Sequence, residues 1–152
     1  MNLTPIATVH SPRDTAIDDE WDAITSTIEI DATRFGTDAV LGLDAFSHIE
    51  VIFAFDQRDP SAVQTGARHP RNNPDWPLVG IFAQRNSNRP NLLGVTICRL
   101  HKVDGLTLTV SGLDAIEGTP VLDIKPYVRE YAPRGEVRQP TWVTELMQHY
   151  WS

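Results

Sequence analysis

The sequence predicts an all-β fold, strand-dominated, with short helical elements and a carboxy-terminal helix. Three observations point there. Short segments rich in β-branched and aromatic residues are separated by Gly, Pro, Asn and Asp. Asp104-Gly105 joins two such segments, and this pair favours the hairpin turns whose twist matches that of strands. Only at the carboxy terminus does the apolar spacing change to a helical period.

Leu3 to Val9 and Ser26 to Ile30 have alternating or β-branched character and predict two strands joined by a long acidic loop. Asp38 to Leu43 predicts a helical turn capped by Thr37 or Asp38. Phe46 to Phe55, FSHIEVIFAF, is the most apolar run and predicts a buried central strand. From Asp56 to Pro77 the chain carries Pro60, Gly66, Pro70, Asn72, Asn73, Pro74 and Pro77, too broken for regular structure. A loop of that length is uncommon unless it serves a function. Val79 to Ala83 predicts a short strand, Leu93 to Val103 with Leu106 to Ser111 a hairpin, and Pro120 to Ile124 a further strand. After a Thr141 cap, Trp142, Val143, Leu146, Met147, Tyr150 and Trp151 recur at helical spacing and predict a helix over about 141–151. Its apolar stripe either covers the core or meets a second copy. Gly42 to Ala45 and Gly112 to Ala115 both spell GLDA, two turns in which glycine permits an unusual backbone angle.

A chain of 152 residues, 41% apolar and 22% charged, has the size and composition of one soluble domain, 1–152. Such a domain buries roughly 70% of the surface its unfolded chain exposes, enough for a core without metal or disulfide. The lone Cys98 cannot form an internal disulfide, which fits the cytoplasm. No run approaches the roughly 20 apolar residues that span a bilayer, so no membrane role is expected. The net charge of −7, from 13 Lys and Arg against 20 Asp and Glu, has the wrong sign for a surface that attracts nucleic acid everywhere. Acid concentrates at Asp14, Asp18, Asp19, Glu20 and Asp22, whereas Arg58, Arg68, His69, Arg71, Arg85, Arg89, Arg99 and Lys102 populate the middle. Any RNA contact is therefore local, the alternative being that these cations are simply solvated.

Several chemistries lack their motifs. No GxGxxG follows a strand and opens a helix, so the Rossmann grip on a nucleotide is missing, and no GxxxxGK[ST] occurs. His10, His48, His69, His101 and His149 are scattered without HExxH or cysteine pairs, so no metal is expected. A GxSxG elbow is absent. His48 and Glu50 share a strand face and read as a satisfied polar pair, and Cys98 as a small buried residue rather than a nucleophile.

What remains is a set of dense segments: Leu43 to Phe55 (LDAFSHIEVIFAF), Arg68 to Arg71 (RHPR), Gly80 to Arg85 (GIFAQR), Arg89 to Gly94 (RPNLLG) and Leu113 to Tyr127 (LDAIEGTPVLDIKPY), with PIATVHSP as an opening strand. In these blocks, and in their order from about residue 4 to about residue 127, the chain resembles the TsaA/TrmO-like (YaeB-like) family. The resemblance implies a small closed β-barrel that forms homodimers and binds S-adenosyl-L-methionine without a Rossmann fold. It implies a methyltransferase, whose best-known relatives N6-methylate threonylcarbamoyl-adenosine beside the tRNA anticodon.

Carried over by motif, the cofactor-binding residues are Asp56 and Gln57 at the end of the apolar strand, Arg85 ending GIFAQR, Val95 after RPNLLG, and Asp114, Ala115, Ile116 and Glu117. Arg68, Arg71, Arg89 and Asn91 are the implied substrate contacts, and Asp114, Glu117 and Arg89 the catalytic candidates. A sulfonium ligand with an amino-acid end needs acceptors for its ammonium, a donor for its carboxylate and an apolar cleft for its adenine. Asp56, Asp114, Glu117, Arg85, Phe82 and Ile116 are chemically suited to those tasks. In DIKPY, Lys125 either serves the site or pairs with Asp123 or a neighbouring acid. Two departures stand out: Asp19 to Asp22 occupy the place of the family's Pro-Arg-Gln cofactor segment, and the chain lacks the second domain of longer relatives. They leave open a methyltransferase for another small-molecule or nucleic substrate, or a module that binds the cofactor without turnover.

Overall fold

The computed structural model describes residues 1–152. Eight strands run in chain order as β1 (Ala7–His10), β2 (Thr25–Ile30), β3 (His48–Ala54), β4 (Ala67–Arg68), β5 (Val79–Gly80), β6 (Leu93–Asp104), β7 (Thr107–Ser111) and β8 (Pro120–Pro126), followed by helix α1 (Thr141–Leu146). Six of them close into an antiparallel barrel in the order β1-β2-β7-β6-β3-β8, while β4 and β5 form a separate two-stranded ribbon. The small closed barrel that the resemblance implies is thus observed. Closure leaves no free sheet edge in the barrel.

Alternation along each strand fills the interior. Val9, Ile28, Ile49, Val51, Phe53, Cys98, Leu108, Val110 and Val121 point inward and are buried. Phe53 packs edge-on against Phe55 at 5.4 Å between centroids. The wall comes so close there that a Cβ on Gly94 would lie 2.5 Å from the Phe53 ring, so only glycine fits opposite it. At the hairpin tip Gly105 takes φ +58°, as the sequence requires, and both GLDA glycines are left-handed, Gly42 at +83° and Gly112 at +72°.

Several predicted elements are corrected. The strand placed at Phe46 to Phe55 runs His48–Ala54 and is buried on one face only. Its run reads as continuously apolar because the outward Ile52 and Ala54 are apolar too. His48 and Glu50 lie on that outer, half-exposed face, and His48 bonds to Ser47 Oγ at 2.8 Å rather than to Glu50. The helical turn expected at Asp38 to Leu43 is two 3-10 turns, Thr37–Val40 and Leu43–Ala45, each preceded by glycine and neither capped by a side chain. Val79 to Ala83 is strand for two residues and then a 3-10 turn over Ile81–Ala83. The terminal helix is six residues, follows Pro140 with no side-chain cap, and stops at Leu146 rather than continuing to 151. Its apolar stripe is half-buried along its length, from Trp142 to Trp151.

Register decides where the loops go. His10 pairs with Thr27, Thr25 with Ser111, Leu93 with Ala54, and Pro120 with Thr8. Loops 11–24, 55–92 and 112–119 therefore leave from one end of the barrel. Loop 31–47, the 105–106 turn and the chain beyond Pro126 belong to the other.

Candidate functional site

All the residues singled out in the sequence as cofactor or substrate contacts lie on the loops of that first end, or, for Val95, on the strand that rises from it. Local structure sets the aim of each. In GIFAQR, the buried Gln84 side chain donates to the carbonyls of Arg68 at 3.0 Å and Val79 at 2.9 Å, which pins the loop to the β4–β5 ribbon. The next residue, Arg85, is exposed and donates to the Val95 carbonyl at 2.8 Å, its one bond within the chain. Arg85 and Val95 are thus brought together, with most of the guanidinium's donors directed elsewhere. Asp56 and Gln57 stand exposed just after β3 and make no side-chain bond within the chain.

Asp114 is half-buried and doubly held, with Thr96 Oγ1 donating to Oδ1 and the Tyr150 hydroxyl to Oδ2. Ala115 is buried and Ile116 half-buried behind it. Glu117 accepts from the Ser11 amide at 2.6 Å and pairs with His10 Nδ1 at 3.0 Å, while His10 Nε2 meets Glu29 at 3.0 Å. The bond to Glu117 raises the His10 pKa above the ordinary 6.5, and that same bond lowers the Glu117 pKa below the ordinary 4.5. Its carboxylate is therefore committed to joining the 112–119 loop to β1.

The basic residues divide. Arg71 is taken up by the acidic loop, 2.8 Å from Asp19 and 3.7 Å from Asp18. Arg89 donates to the Gln84 carbonyl at 2.8 Å, which makes it part of the loop's framework. Arg68 donates to Asn72 at 2.5 Å. Asn91 is exposed at φ +66°, without a side-chain bond. Phe82 is 80% exposed at this end. Away from it, Lys125 pairs with Asp123 at 2.5 Å, the structural one of its two readings. Burial, together with the Asp114 charge, pushes the Cys98 thiol up to about 12, so it is not a thiolate near neutral pH.

Two clefts lie outside this set. One, of about 540 Å³, is an apolar groove at the opposite barrel end, lined by residues such as Ile30, Phe35, Leu41, Phe46 and Pro126. The other, of about 500 Å³, lies on the barrel wall between Trp151, Asp22, His48, Arg99 and Ser111. The apolar groove has no charged side chain with which to hold a zwitterionic ligand. No group of three or more His, Cys, Asp or Glu side chains is arranged to hold a metal ion, and no helix is long and apolar enough to cross a membrane.

The sequence reading missed Thr96 and Tyr150. A threonine at an inward position of an apolar strand was the available signal for the first. Tyr150 stands out in the sequence only as one member of an apolar stripe.

Comparison with known proteins places these residues in a family. The model described as tRNA-methyltransferase O N-terminal domain matches residues 7–132. A probable S-adenosyl-L-methionine-binding protein of Methanothermobacter thermautotrophicus is 33% identical over 132 residues, 86% of this chain and 92% of the relative. The human tRNA (adenine(37)-N6)-methyltransferase is 39% identical over 102 residues, 67% of this chain but 23% of that protein. The crystal structure of TrmO from Pseudomonas aeruginosa superposes with a TM-score of 0.75 at 28% identity, covering 93% of this chain and 61% of that one. The chain thus spans about two-fifths or less of the curated tRNA methyltransferases it matches.

The His10–Glu117 pair carries a signed pH dependence. The contribution of His10, whose pKa is raised by folding, is complete below pH 6.5 and is lost as pH rises through the raised value. That of Glu117, whose pKa is lowered, is complete above pH 4.5 and is lost as pH falls through the lowered value. His10→Ala is expected to lower the thermal midpoint most at about pH 5.5 and least at about pH 9. Equal drops at both pH values would assign the effect to packing.

Proposed function

The chain belongs to the tRNA-methyltransferase O N-terminal domain family, and from that premise we propose that it methylates N6 of a threonylcarbamoyl-modified adenosine beside the tRNA anticodon, using S-adenosyl-L-methionine. The observation that carries this reading is the gathering of Asp56, Gln57, Arg85, Val95 and Asp114 to Glu117 at one barrel end, all within the matched residues. The names of the human and archaeal relatives support the reaction and the cofactor. A tRNA substrate and a single unpaired cysteine are consistent with the cytoplasm.

The residues present fit the cofactor. Arg85 offers guanidinium donors to a carboxylate, Asp56 and Asp114 offer acceptors to an ammonium, and Ile116 with Phe82 offers apolar surface to an adenine. When bound, S-adenosylmethionine supplies an electrophilic methyl group on a sulfonium. The protein's task is then orientation and exclusion of water rather than covalent participation. An exocyclic adenine nitrogen is a weak nucleophile because its lone pair is delocalised, so a carboxylate at this end assists by taking its proton. His10 and Ser11 hold Glu117, whereas nothing in the chain holds Asp56. On the substrate side Asn91 is unbonded and Arg68 keeps guanidinium donors beyond its bond to Asn72, whereas Arg71 is neutralised by Asp18 and Asp19.

That neutralised, acidic first loop favours a second reading, a module that binds the cofactor without turnover. We further propose a homodimer, with residues 1–152 acting as one folded unit. The carboxy-terminal stripe is half-buried in its own chain, so the contact moves to the outer wall of β3 and β6, where Ile52, Ala54, Leu93, Val95 and Ile97 share a face. Leu93 is 38% and Ile97 47% exposed on this wall, which adjoins the cofactor end through Val95. Light scattering at micromolar concentration is expected to give a dimer mass that Ile97→Lys reduces to a monomer. A monomeric parent would remove the proposal.

In calorimetric titration the parent is expected to bind S-adenosylmethionine, and Arg85→Ala to bind about 10-fold to 150-fold more weakly. Arg85→Lys should recover part of the loss, because an ammonium lacks the planar fork, and Arg58→Ala should change little. Incubation with total tRNA is expected to yield S-adenosylhomocysteine. Binding without product selects the second reading, and a folded Arg85→Ala variant with parental affinity returns Arg85 to a structural role.

A further inference from the structure

Beyond residues 7–132, the carboxy-terminal tail comes back to the loop end of the barrel. β8 leaves the barrel at the opposite end, so the segment after Pro126 must travel the barrel's length before α1 begins. It is then fastened at three places. Trp76 Nε1 donates to Glu145 at 2.8 Å. The successive amides of Glu20, Trp21 and Asp22 donate to the carbonyls of His149, Tyr150 and Trp151 at 3.0, 3.0 and 2.9 Å. These three residues belong to the acidic loop 11–24 between β1 and β2. At the third place the Tyr150 hydroxyl donates to Asp114 Oδ2, opposite the Thr96 hydroxyl on Oδ1.

Asp114 is thus clamped between a donor from the barrel interior and a donor from the tail. The Tyr150 ring is itself held, edge-on to Trp151 at 4.9 Å and 85°. Burial and the neighbouring carboxylate keep its phenol protonated. Tyr150 therefore meets Asp114 as a donor.

We infer that Tyr150 is a positioning residue: through its hydroxyl the tail fixes the direction in which the Asp114 carboxylate meets S-adenosylmethionine. The inference rests on the proposed function, because it takes Asp114 to face the cofactor. A carboxylate with one hydroxyl donor on each oxygen keeps a lone pair free on each, and the clamp sets where those lone pairs point. With Tyr150 removed, one oxygen is free to rotate away.

Calorimetric titration of S-adenosylmethionine into the 152-residue chain tests it with five proteins: the parent, Tyr150→Phe, Tyr150→Leu, Asp114→Asn and the Tyr150→Phe/Asp114→Asn double variant. Tyr150→Phe keeps the ring and its packing, so a loss of roughly 10-fold in affinity is expected from the hydroxyl alone. Tyr150→Leu should lose little more. In the Asp114→Asn background, Tyr150→Phe is expected to have no further effect, because the two residues act as one unit. A packing role would instead leave Tyr150→Phe at parental affinity with Tyr150→Leu impaired, and independent roles would make the losses multiply; either result overturns the inference. Tighter binding by Tyr150→Phe would also overturn it, making the tail an obstruction. A parent that does not bind S-adenosylmethionine removes the proposed function and this inference together, whereas binding by the parent with Tyr150→Phe unaffected removes the inference alone.

Discussion

Closure of the barrel by β8, which pairs with β1 on one side and β3 on the other, is the constraint from which the site follows. An antiparallel barrel sends consecutive connections to alternate ends. Once the last strand is zipped in, loops 11–24, 55–92 and 112–119 have no choice but to share one rim. Segments far apart in sequence, such as those of His10 and Glu117, become neighbours without any element dedicated to bringing them together. The interior has no room for a ligand, since inward Phe53, Ile28, Ile49 and Leu108 fill it. A ligand is thereby left the barrel ends and the outer wall.

The rim is shaped by a few polar locks beside the apolar packing of Trp21, Ile81, Leu113 and Ala115. Gln84 pins one loop to the ribbon, Glu117 ties another to β1 through His10, and Arg71 draws the acidic loop inward through Asp19. The His10–Glu117 pair is about half-exposed on both sides, 45% and 44%, so solvent screening leaves its contribution to global stability small. What such pairs do is choose among loop conformations of similar energy. Asp114 differs in being partly withdrawn from water, so an oxygen left without a donor there is costly. It is also the point where barrel, loop and tail meet.

Much of this was legible in the sequence, and the misses have physical causes. Strand identity followed from β-branched alternation, and Asp104-Gly105 marked its hairpin. Boundaries slipped where the outer wall is itself apolar, as at Ile52 and Ala54, because a run that is apolar on both faces resembles a buried strand. The tail misled differently. Trp142 to Trp151 keep helical spacing throughout, yet the helix stops at Leu146, since residues 149–151 turn their carbonyls to the amides of Glu20 to Asp22. That is a long-range bond which local periodicity does not register. Motif singled out candidate site residues but not their partners: whether a carboxylate is free, like Asp56, or held, like Glu117, depends on residues a hundred positions away. Arg71 and Arg89 looked available for RNA in sequence and are engaged by Asp19 and the Gln84 carbonyl in the fold.

A crystal structure of the 152-residue chain with S-adenosylhomocysteine tests most directly whether the rim is the cofactor site. The expected result is the amino-acid carboxylate on Arg85, with the rest of the molecule along Val95 and the Asp114 to Glu117 loop, and the barrel interior unchanged. Occupancy of the apolar groove at the opposite end, among Phe35, Leu41 and Phe46, would contradict it.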